Sequence, residues 1–177
     1  MKIAVTGHLA GLGECLYKML SDAGHTVVGF DIQEGCDINN KDVRSSILEK
    51  SKDCDVFINN AYANPGQFEL LRLLIDSNIH SIIMNVGTNI TDVAQEVLEA
   101  DIDWQEQSQS SRSAYPIQKK LQNDYIRTKR TQSKGKSILL TVKPGWLNTS
   151  LVNNVPSSRY VDLRHVCKAI IFQIEMA

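Results

Sequence analysis

The apolar positions of this chain fall into two alternating patterns. Short, nearly continuous apolar runs occupy Lys2 to Thr6 and Thr26 to Phe30, which is typical of strands that are covered on both faces. The stretch from Glu14 to Ala23 between them carries its apolar residues at helical spacing, with Leu16 and Leu20 on one face. This part of the chain is therefore predicted to form a strand, a helix and a second strand.

The same alternation continues along the chain. Further strands are predicted over Cys54 to Ile58, Ile79 to Asn85 and Lys136 to Val142. Further helices are predicted over Lys41 to Ser51, Gln67 to Asp76, Tyr115 to Ser133 and Asp162 to Glu175. Such alternation is typical of a doubly wound α/β fold, in which ligands bind beyond the carboxyl ends of the parallel strands. We expect a single domain over residues 1–177.

Composition and charge narrow the range of partners. With 42% hydrophobic residues, 22% charged residues and a formal net charge of −1, the chain lacks the basic excess that nucleic acid or an anionic membrane surface would attract. Met1 and Lys2 lead into the first strand without a signal-peptide pattern, so we expect a cytoplasmic protein. The four cysteines show no C-x-x-C spacing, and the histidines show no ligand spacing; free thiols and no metal site are predicted.

A glycine-rich turn follows the first predicted strand and leads directly into a helix. A turn of this kind lets the backbone approach a pyrophosphate, and the helix N-terminus supplies N–H groups and partial positive charge. The alternative is a purely structural turn. The residues predicted to bind the phosphates are Gly7, His8, Gly11, Leu12 and Gly13. For His8 a second interpretation is equally open, in which its ring faces solvent.

Two further sets of residues suggest chemistry at the same end of the sheet. Asp31 ends the second strand about 20 residues past the last glycine, where an acid accepts hydrogen bonds from a ribose and repels a 2′-phosphate. This favours NAD over NADP, although a strand-end turn residue is the alternative. Tyr115 and Lys119 are one helical turn apart, so a lysine charge lies within reach of a phenol whose ordinary pKa is about 10. By spacing alone, such a pair is often coincidental.

Together these residues resemble the short-chain dehydrogenase/reductase family. The resemblance extends from residue 6 to residue 149, in the family's order. It rests on the T-G-x-x-x-G-x-G turn, Asp31, Cys36-Asp37-Ile38, Asn59-Asn60-Ala61-Tyr62, Y-x-x-x-K at Tyr115 to Lys119, and the loop from Pro144 to Thr149. The resemblance implies a Rossmann fold with about six parallel strands in the order 3-2-1-4-5-6, the family's last strand being missing.

The resemblance also implies an activity, which is hydride transfer between NAD(H) and a small-molecule carbonyl or secondary alcohol. Tyr115 would exchange a proton with the substrate, Lys119 would lower the pKa of Tyr115, and Thr88 would orient the substrate oxygen. Asn64 is the candidate for a proton relay. The cofactor would contact the glycine-rich turn and Asp31, Asp37, Ile38, Asn60, Ala61, Tyr115, Lys119, Pro144, Gly145, Leu147 and Thr149.

Some features depart from the family pattern. The chain is shorter than most members, and Tyr62 replaces a glycine that lies beside the cofactor, where its ring would crowd or stack on the nicotinamide pocket. Two other functions therefore stay open: a non-catalytic NAD(P)-binding regulator, and a sugar-nucleotide epimerase or dehydratase. The long helices offer a surface for a homodimer.

Overall fold

The computed structural model describes residues 1–88, 111–132, 137–147 and 160–177. Within these ranges the strands are β1 (Lys2–Thr6), β2 (Thr26–Phe30), β3 (Val56–Asn59), β4 (Ile82–Val86), β5 (Ile138–Val142), β6 (Trp146–Leu147) and β7 (Tyr160–Val161). The helices are α1 (Gly11–Asp22), α2 (Lys41–Lys50), α3 (Gly66–Ser77), α4 (Ser111–Gln132) and α5 (Leu163–Glu175), and Ile32–Glu34 forms a 3₁₀ turn.

Five strands form a parallel sheet in the order β2-β1-β3-β4-β5. The register places Val5 of β1 beside Gly29 of β2 and Ile58 of β3. Strand order reverses at β1, because β2 lies on one side of it and the later strands lie on the other. The predicted α/β Rossmann fold is confirmed, and its ligand-binding edge lies at the carboxyl ends of β1, β3 and β4.

The sheet differs from the predicted order 3-2-1-4-5-6 at one edge. In the predicted order the third strand lies outside β2. Without that strand, and with the later strands renumbered, the predicted order becomes the observed one. The chain between Phe30 and Lys41 forms the 3₁₀ turn and then a left-handed residue, Gly35, with φ of 79°. A crossover to another parallel strand needs about a dozen residues or more, so this segment is too short to supply one. The described β6 pairs with β7 in a separate two-stranded ladder.

Helices cover both faces of the sheet, which explains the continuous apolar strands. On one face Ile3 and Val5 pack with Leu16 of α1 and Ile170 of α5. On the other face Phe57 and its neighbours pack with α2, α3 and α4. Each fully buried Leu or Ile side chain stabilises the fold by about 1.5–3 kcal/mol relative to exposure, so the two apolar layers account for most of the driving force.

Three further findings concern membrane spans, metal sites and cysteines in the described part of the chain. No helix there is both long enough and apolar enough to span a membrane, and no group of three His, Cys, Asp or Glu side chains is arranged to hold a metal ion. All four cysteines are free thiols, as predicted.

Candidate functional site

The glycine-rich turn is folded tightly against the first turn of α1. Gly7 has a φ of 72°, which side chains disfavour, and its N–H donates to the carbonyl of Phe30 at 2.7 Å. A Cβ atom added to Gly13 would lie 1.9 Å from the Gly7 carbonyl oxygen. The loop and the helix therefore approach each other as closely as two glycines allow.

This geometry leaves the N-terminus of α1 suited to an anion. Ala10 occupies the N-cap position, and its side chain makes no capping hydrogen bond to the first-turn N–H groups. Those N–H groups and the positive end of the helix dipole face the loop that Gly7 and Gly11 shape with positive φ. The residues present therefore fit a pyrophosphate, as predicted for this turn.

Asn60 and Ala61 join the end of β3 to the end of β1. The backbone N–H groups of both residues donate to Thr6 Oγ1 at 3.0 Å, and Asn60 Nδ2 donates to the Thr6 carbonyl at 2.9 Å. Thr6 is fully buried, so its hydroxyl serves the fold rather than a ligand. Asn60 lies beside the glycine-rich turn, and its predicted contact with the cofactor remains a prediction.

Asp31 is held by two backbone N–H groups. Its Oδ2 accepts from Leu9 at 3.1 Å, and its Oδ1 accepts from Gln33 at 3.0 Å. The residue is only 5% exposed, and it caps the 3₁₀ turn. Asp31 therefore caps this turn, each of its carboxylate oxygens keeps a lone pair for a further donor, and its contact with the ribose remains a prediction.

The side chain of His8 is buried. Its ring is 8% exposed and packs against Tyr17, with ring centroids 5.1 Å apart. Gly29 makes room for the ring, since a Cβ atom there would lie 2.3 Å from it, and His8 Nε2 lies 3.8 Å from a carboxylate oxygen of Glu34. The alternative in which His8 faces solvent is therefore wrong.

Asp37 and Ile38, predicted to lie near the adenine, form part of the turn before α2. Asp37 Oδ1 accepts from the Asn39 N–H at 2.9 Å. The Ile38 side chain is buried in the core, and its carbonyl accepts from Arg44 at 2.8 Å. These contacts order the turn, and the adenine contact remains a prediction.

At the other end of the same sheet edge, three predicted catalytic residues come together. Tyr115 and Lys119 lie on one face of the first part of α4, and the Tyr115 side chain hydrogen-bonds that of Thr88, just after β4. Burial raises the pKa of Tyr115 above its ordinary value, and the Thr88 hydrogen bond opposes this in part, so the predicted lowering of this pKa by Lys119 is not observed. At neutral pH Tyr115 is therefore a protonated phenol, able to donate a proton.

Lys119 is the most deeply buried charged group of the site. Its Nζ donates to the Val86 carbonyl at 2.7 Å and to Gln67 Oε1 at 2.8 Å. Burial lowers the pKa of Lys119 from 10.5 to about 7. The amine therefore gains and loses its proton near neutral pH, instead of staying charged as an exposed lysine does.

Tyr62 covers this pair of residues. Its ring meets the Tyr115 ring edge to face, with centroids 4.7 Å apart, and Lys119 Nζ lies 5.5 Å from the Tyr62 centroid. Tyr62 is 38% exposed, whereas Lys119 is 2% exposed. The Tyr62 side chain therefore lies over Tyr115 and Lys119.

Asn64, the predicted relay residue, is directed elsewhere. Its Oδ1 accepts from Gln118 Nε2 at 3.1 Å, and the side-chain partner of Lys119 among the described residues is Gln67. The sequence pattern indicates Gln67 only as the first residue of a predicted helix, so its contact with Lys119 was not predicted. A glutamine in an otherwise apolar helix face was the available signal.

The loop after β5 is only partly described. Leu147 lies in β6, where it pairs with Val161 of β7, and Pro144 and Gly145 immediately precede that strand. Thr149, predicted to contact the pyrophosphate, lies outside the described residues.

Solved structures of short-chain dehydrogenases match nearly the whole chain. A 3-alpha-hydroxysteroid dehydrogenase from a Pseudomonas species, complexed with NADH, matches with a TM-score of 0.76 and 20% identity, covering 98% of this chain and 89% of that chain. A short chain dehydrogenase from Burkholderia cenocepacia, in complex with NADP, matches with a TM-score of 0.72 and 19% identity over 98% and 84%. No protein-family model and no curated protein matches the sequence.

A third match extends the range of activities among these structures. It is a 3-ketoacyl-(acyl-carrier-protein) reductase from Brucella melitensis, complexed with NADH, with a TM-score of 0.67 and 16% identity over 97% of this chain and 89% of that chain. At these identities the likeness establishes the fold. The chain has the Rossmann-like fold that short-chain dehydrogenases and reductases share.

Proposed function

We propose that this chain is an NAD(H)-dependent oxidoreductase of the short-chain dehydrogenase/reductase family. The observation that carries the proposal is the meeting of Tyr115, Thr88 and Lys119 beyond the carboxyl end of β4. Three residues from two distant parts of the chain converge where this fold binds ligands. A phenol can exchange a proton with a substrate oxygen, a hydroxyl can orient that oxygen, and an amine can stabilise the phenolate, which together support reversible reduction of a carbonyl.

The chemistry follows from the protonation states. In the direction of reduction, the protonated Tyr115 donates its proton to the carbonyl oxygen of the substrate, and the Thr88 hydroxyl orients that oxygen. Lys119 stabilises the phenolate that remains, because its Nζ lies 5.6 Å from the centre of the Tyr115 ring. The bound nicotinamide would supply the hydride. In the direction of oxidation, the Tyr115 phenolate takes the proton back from the alcohol.

The glycine-rich turn and Asp31 support the choice of cofactor. The uncapped N-terminus of α1 would hold the pyrophosphate, and Asp31 would accept from the adenosine ribose. A 2′-phosphate would meet the carboxylates of Asp31 and of Glu34, which lies on the same turn. Like charges at short range disfavour NADP.

Titration of the protein with NADH and NADPH tests this proposal. We expect NADH to bind at least about tenfold more tightly than NADPH, since repulsion of about 1.4 kcal/mol at the ribose produces that ratio. Nicotinamide fluorescence measures both dissociation constants. Absence of binding of either cofactor at millimolar concentration would contradict the proposal.

Replacing Tyr62 by alanine tests whether its ring limits access to Lys119. We expect Tyr62→Ala to bind NADH about 2- to 10-fold more tightly and to bind ADP-ribose, which lacks the nicotinamide, as the wild type does. The size of the change is that of an aromatic pair, about 0.5–1.5 kcal/mol. Isothermal titration calorimetry measures both ligands. Tyr62→Phe keeps the ring and serves as the control; equal NADH affinities in Tyr62→Ala and Tyr62→Phe would sink this interpretation.

The position of the Tyr62 ring over Lys119 also supports a second candidate function, that of a nucleotide-binding regulator without catalytic activity. If Tyr62 stayed in place when the cofactor bound, the dinucleotide would be held by its adenosine and phosphate parts alone. The protein would then bind ADP-ribose and NADH with equal affinity, and no alcohol would be oxidised. The same calorimetric comparison thus separates the two candidates.

A further inference from the structure

Four buried amide side chains and the backbone carbonyl of Asn59 form a cycle of hydrogen bonds behind Lys119. Asn59 Nδ2 donates to Asn85 Oδ1 at 2.9 Å, and Asn85 Nδ2 donates to Gln122 Oε1 at 3.2 Å. Gln122 Nε2 donates to Gln67 Oε1 at 3.2 Å, and Gln67 Nε2 donates to the backbone carbonyl of Asn59 at 3.2 Å. All four residues have an exposure of 0%, so water does not compete for these bonds.

The cycle fixes which end of the Gln67 amide faces Lys119. Gln67 Nε2 faces two carbonyl oxygens, those of Asn59 and Val86, at 3.2 and 3.4 Å. Rotating the amide by half a turn would place its oxygen against those two oxygens and its NH₂ group against the lysine. Oε1 must therefore face Nζ, where it accepts at 2.8 Å.

We propose that Gln67 is a positioning residue that holds the Lys119 amine beneath Tyr115 and favours its charged form. The proposal rests on the proposed proton-transfer function, for which it supplies a further part. Two acceptors on Nζ, the Gln67 amide and the Val86 carbonyl, favour the ammonium form that burial disfavours. Because the amide is uncharged, it stabilises the ammonium without cancelling the positive charge that Tyr115 senses.

In the part of the chain that the structure describes, an amide and a carbonyl rather than a carboxylate accept from Lys119. The titratable groups that face Lys119 among the described residues are the phenols of Tyr62 and Tyr115, while α3 and β4 present the Gln67 amide and the Val86 carbonyl. A glutamate at position 67 would form an ion pair with the lysine and remove its field from the site. An amide retains that field, and the backbone carbonyls of Asn59 and Val86 together with the Gln122 amide keep its direction.

The test compares Gln67→Met with Gln118→Met. Methionine fills the volume of glutamine but accepts no strong hydrogen bond from Nζ. Gln118 is the matched control, since its buried amide donates to Asn64 and Ala63, whereas Lys119 Nζ donates to Gln67 and Val86. Gln67→Asn is a second variant whose amide is one methylene shorter and falls short of Nζ, in case the methionine variant does not fold.

The primary readout is the titration midpoint of the Lys119 ¹³Cε signal by NMR in the protein without cofactor, assigned by its loss in Lys119→Met. We expect this midpoint to fall by about one pH unit in both Gln67 variants and to stay unchanged in Gln118→Met. This readout needs neither bound cofactor nor turnover. An unchanged midpoint in the Gln67 variants, or an equal fall in Gln118→Met, would overturn the positioning role while leaving the proposed function standing.

The second readout is steady-state kinetics. Both Gln67 variants should show a kcat about tenfold lower at neutral pH with a KM for the alcohol within about threefold, because the substrate contacts are untouched. A change in KM with an unaltered kcat would contradict the proposed role.

Discussion

Replacing Tyr115 by phenylalanine should lower kcat by about a thousandfold and leave the Kd for NADH within about twofold of the wild type. The substitution removes one hydroxyl. The ring that packs edge to face against Tyr62 is kept, so the shape of the site does not change. What is lost is the proton donor, together with its hydrogen bond to Thr88. Cofactor oxidation followed at 340 nm with a panel of ketones and aldehydes measures the rate.

Tyr125 provides the matched control for this experiment. It lies on the same helix, α4, and its hydroxyl contacts Asp76 at the surface at 3.4 Å. Tyr125→Phe should therefore retain the wild-type rate. Turnover by Tyr115→Phe at the wild-type rate would show that another group transfers the proton. Turnover by neither the wild type nor Tyr125→Phe, with NADH bound, would favour the regulator.

Lys119 should make the stability of the protein depend on pH in an unusual direction. Its pKa is about 7 in the folded protein and 10.5 in an exposed lysine, so between these values the unfolded chain binds more protons. Stability from this group therefore rises with pH, by about 1.4 kcal/mol for each unit from pH 7 towards pH 10. Lys119→Met removes the titrating group and should lack this rise.

Urea unfolding of both proteins at pH 7 and at about pH 9.5 measures the effect. Taking the difference between wild type and Lys119→Met cancels the titration of groups that do not contact Lys119. We expect the wild type to gain a few kcal/mol relative to the variant over this interval. A difference that stays constant with pH would mean that Lys119 keeps its proton in the folded protein.

The sequence predicted most of the fold because buried parallel strands leave a direct pattern. The bounds of β1 and β2 agree with the predicted Lys2 to Thr6 and Thr26 to Phe30, since continuous apolar runs end where the strands end. Helix α1 begins at Gly11 rather than at the predicted Glu14. Glycine has low helix propensity, so the apolar pattern did not predict that Gly11 and Gly13 belong to the helix. Gly13 packs closely against Gly7, a tertiary contact that the pattern does not contain.

The candidate site was predictable only in part. Tyr115 and Lys119 could be paired from their spacing, Thr88 is added only by the resemblance, and the structure brings the three together. The contact between Gln67 and Lys119 could not be predicted, because periodicity shows which face of a helix is buried but not which end of an amide faces a neighbour. The resemblance indicates Asn64 as the nearest candidate for the relay asparagine, but its side chain bonds Gln118.

The two hydrogen bonds of Asp31 have a consequence for how any adenosine would be bound. The Asp31 carboxylate accepts from Leu9 and from Gln33, so it links the glycine-rich turn to the 3₁₀ turn after β2. Both turns are therefore ordered before a ligand binds. Binding then costs little loop entropy, and part of the affinity resides in this preorganisation. Weaker nucleotide binding after removal of Asp31 would thus report a loosened groove as well as any lost ribose contact.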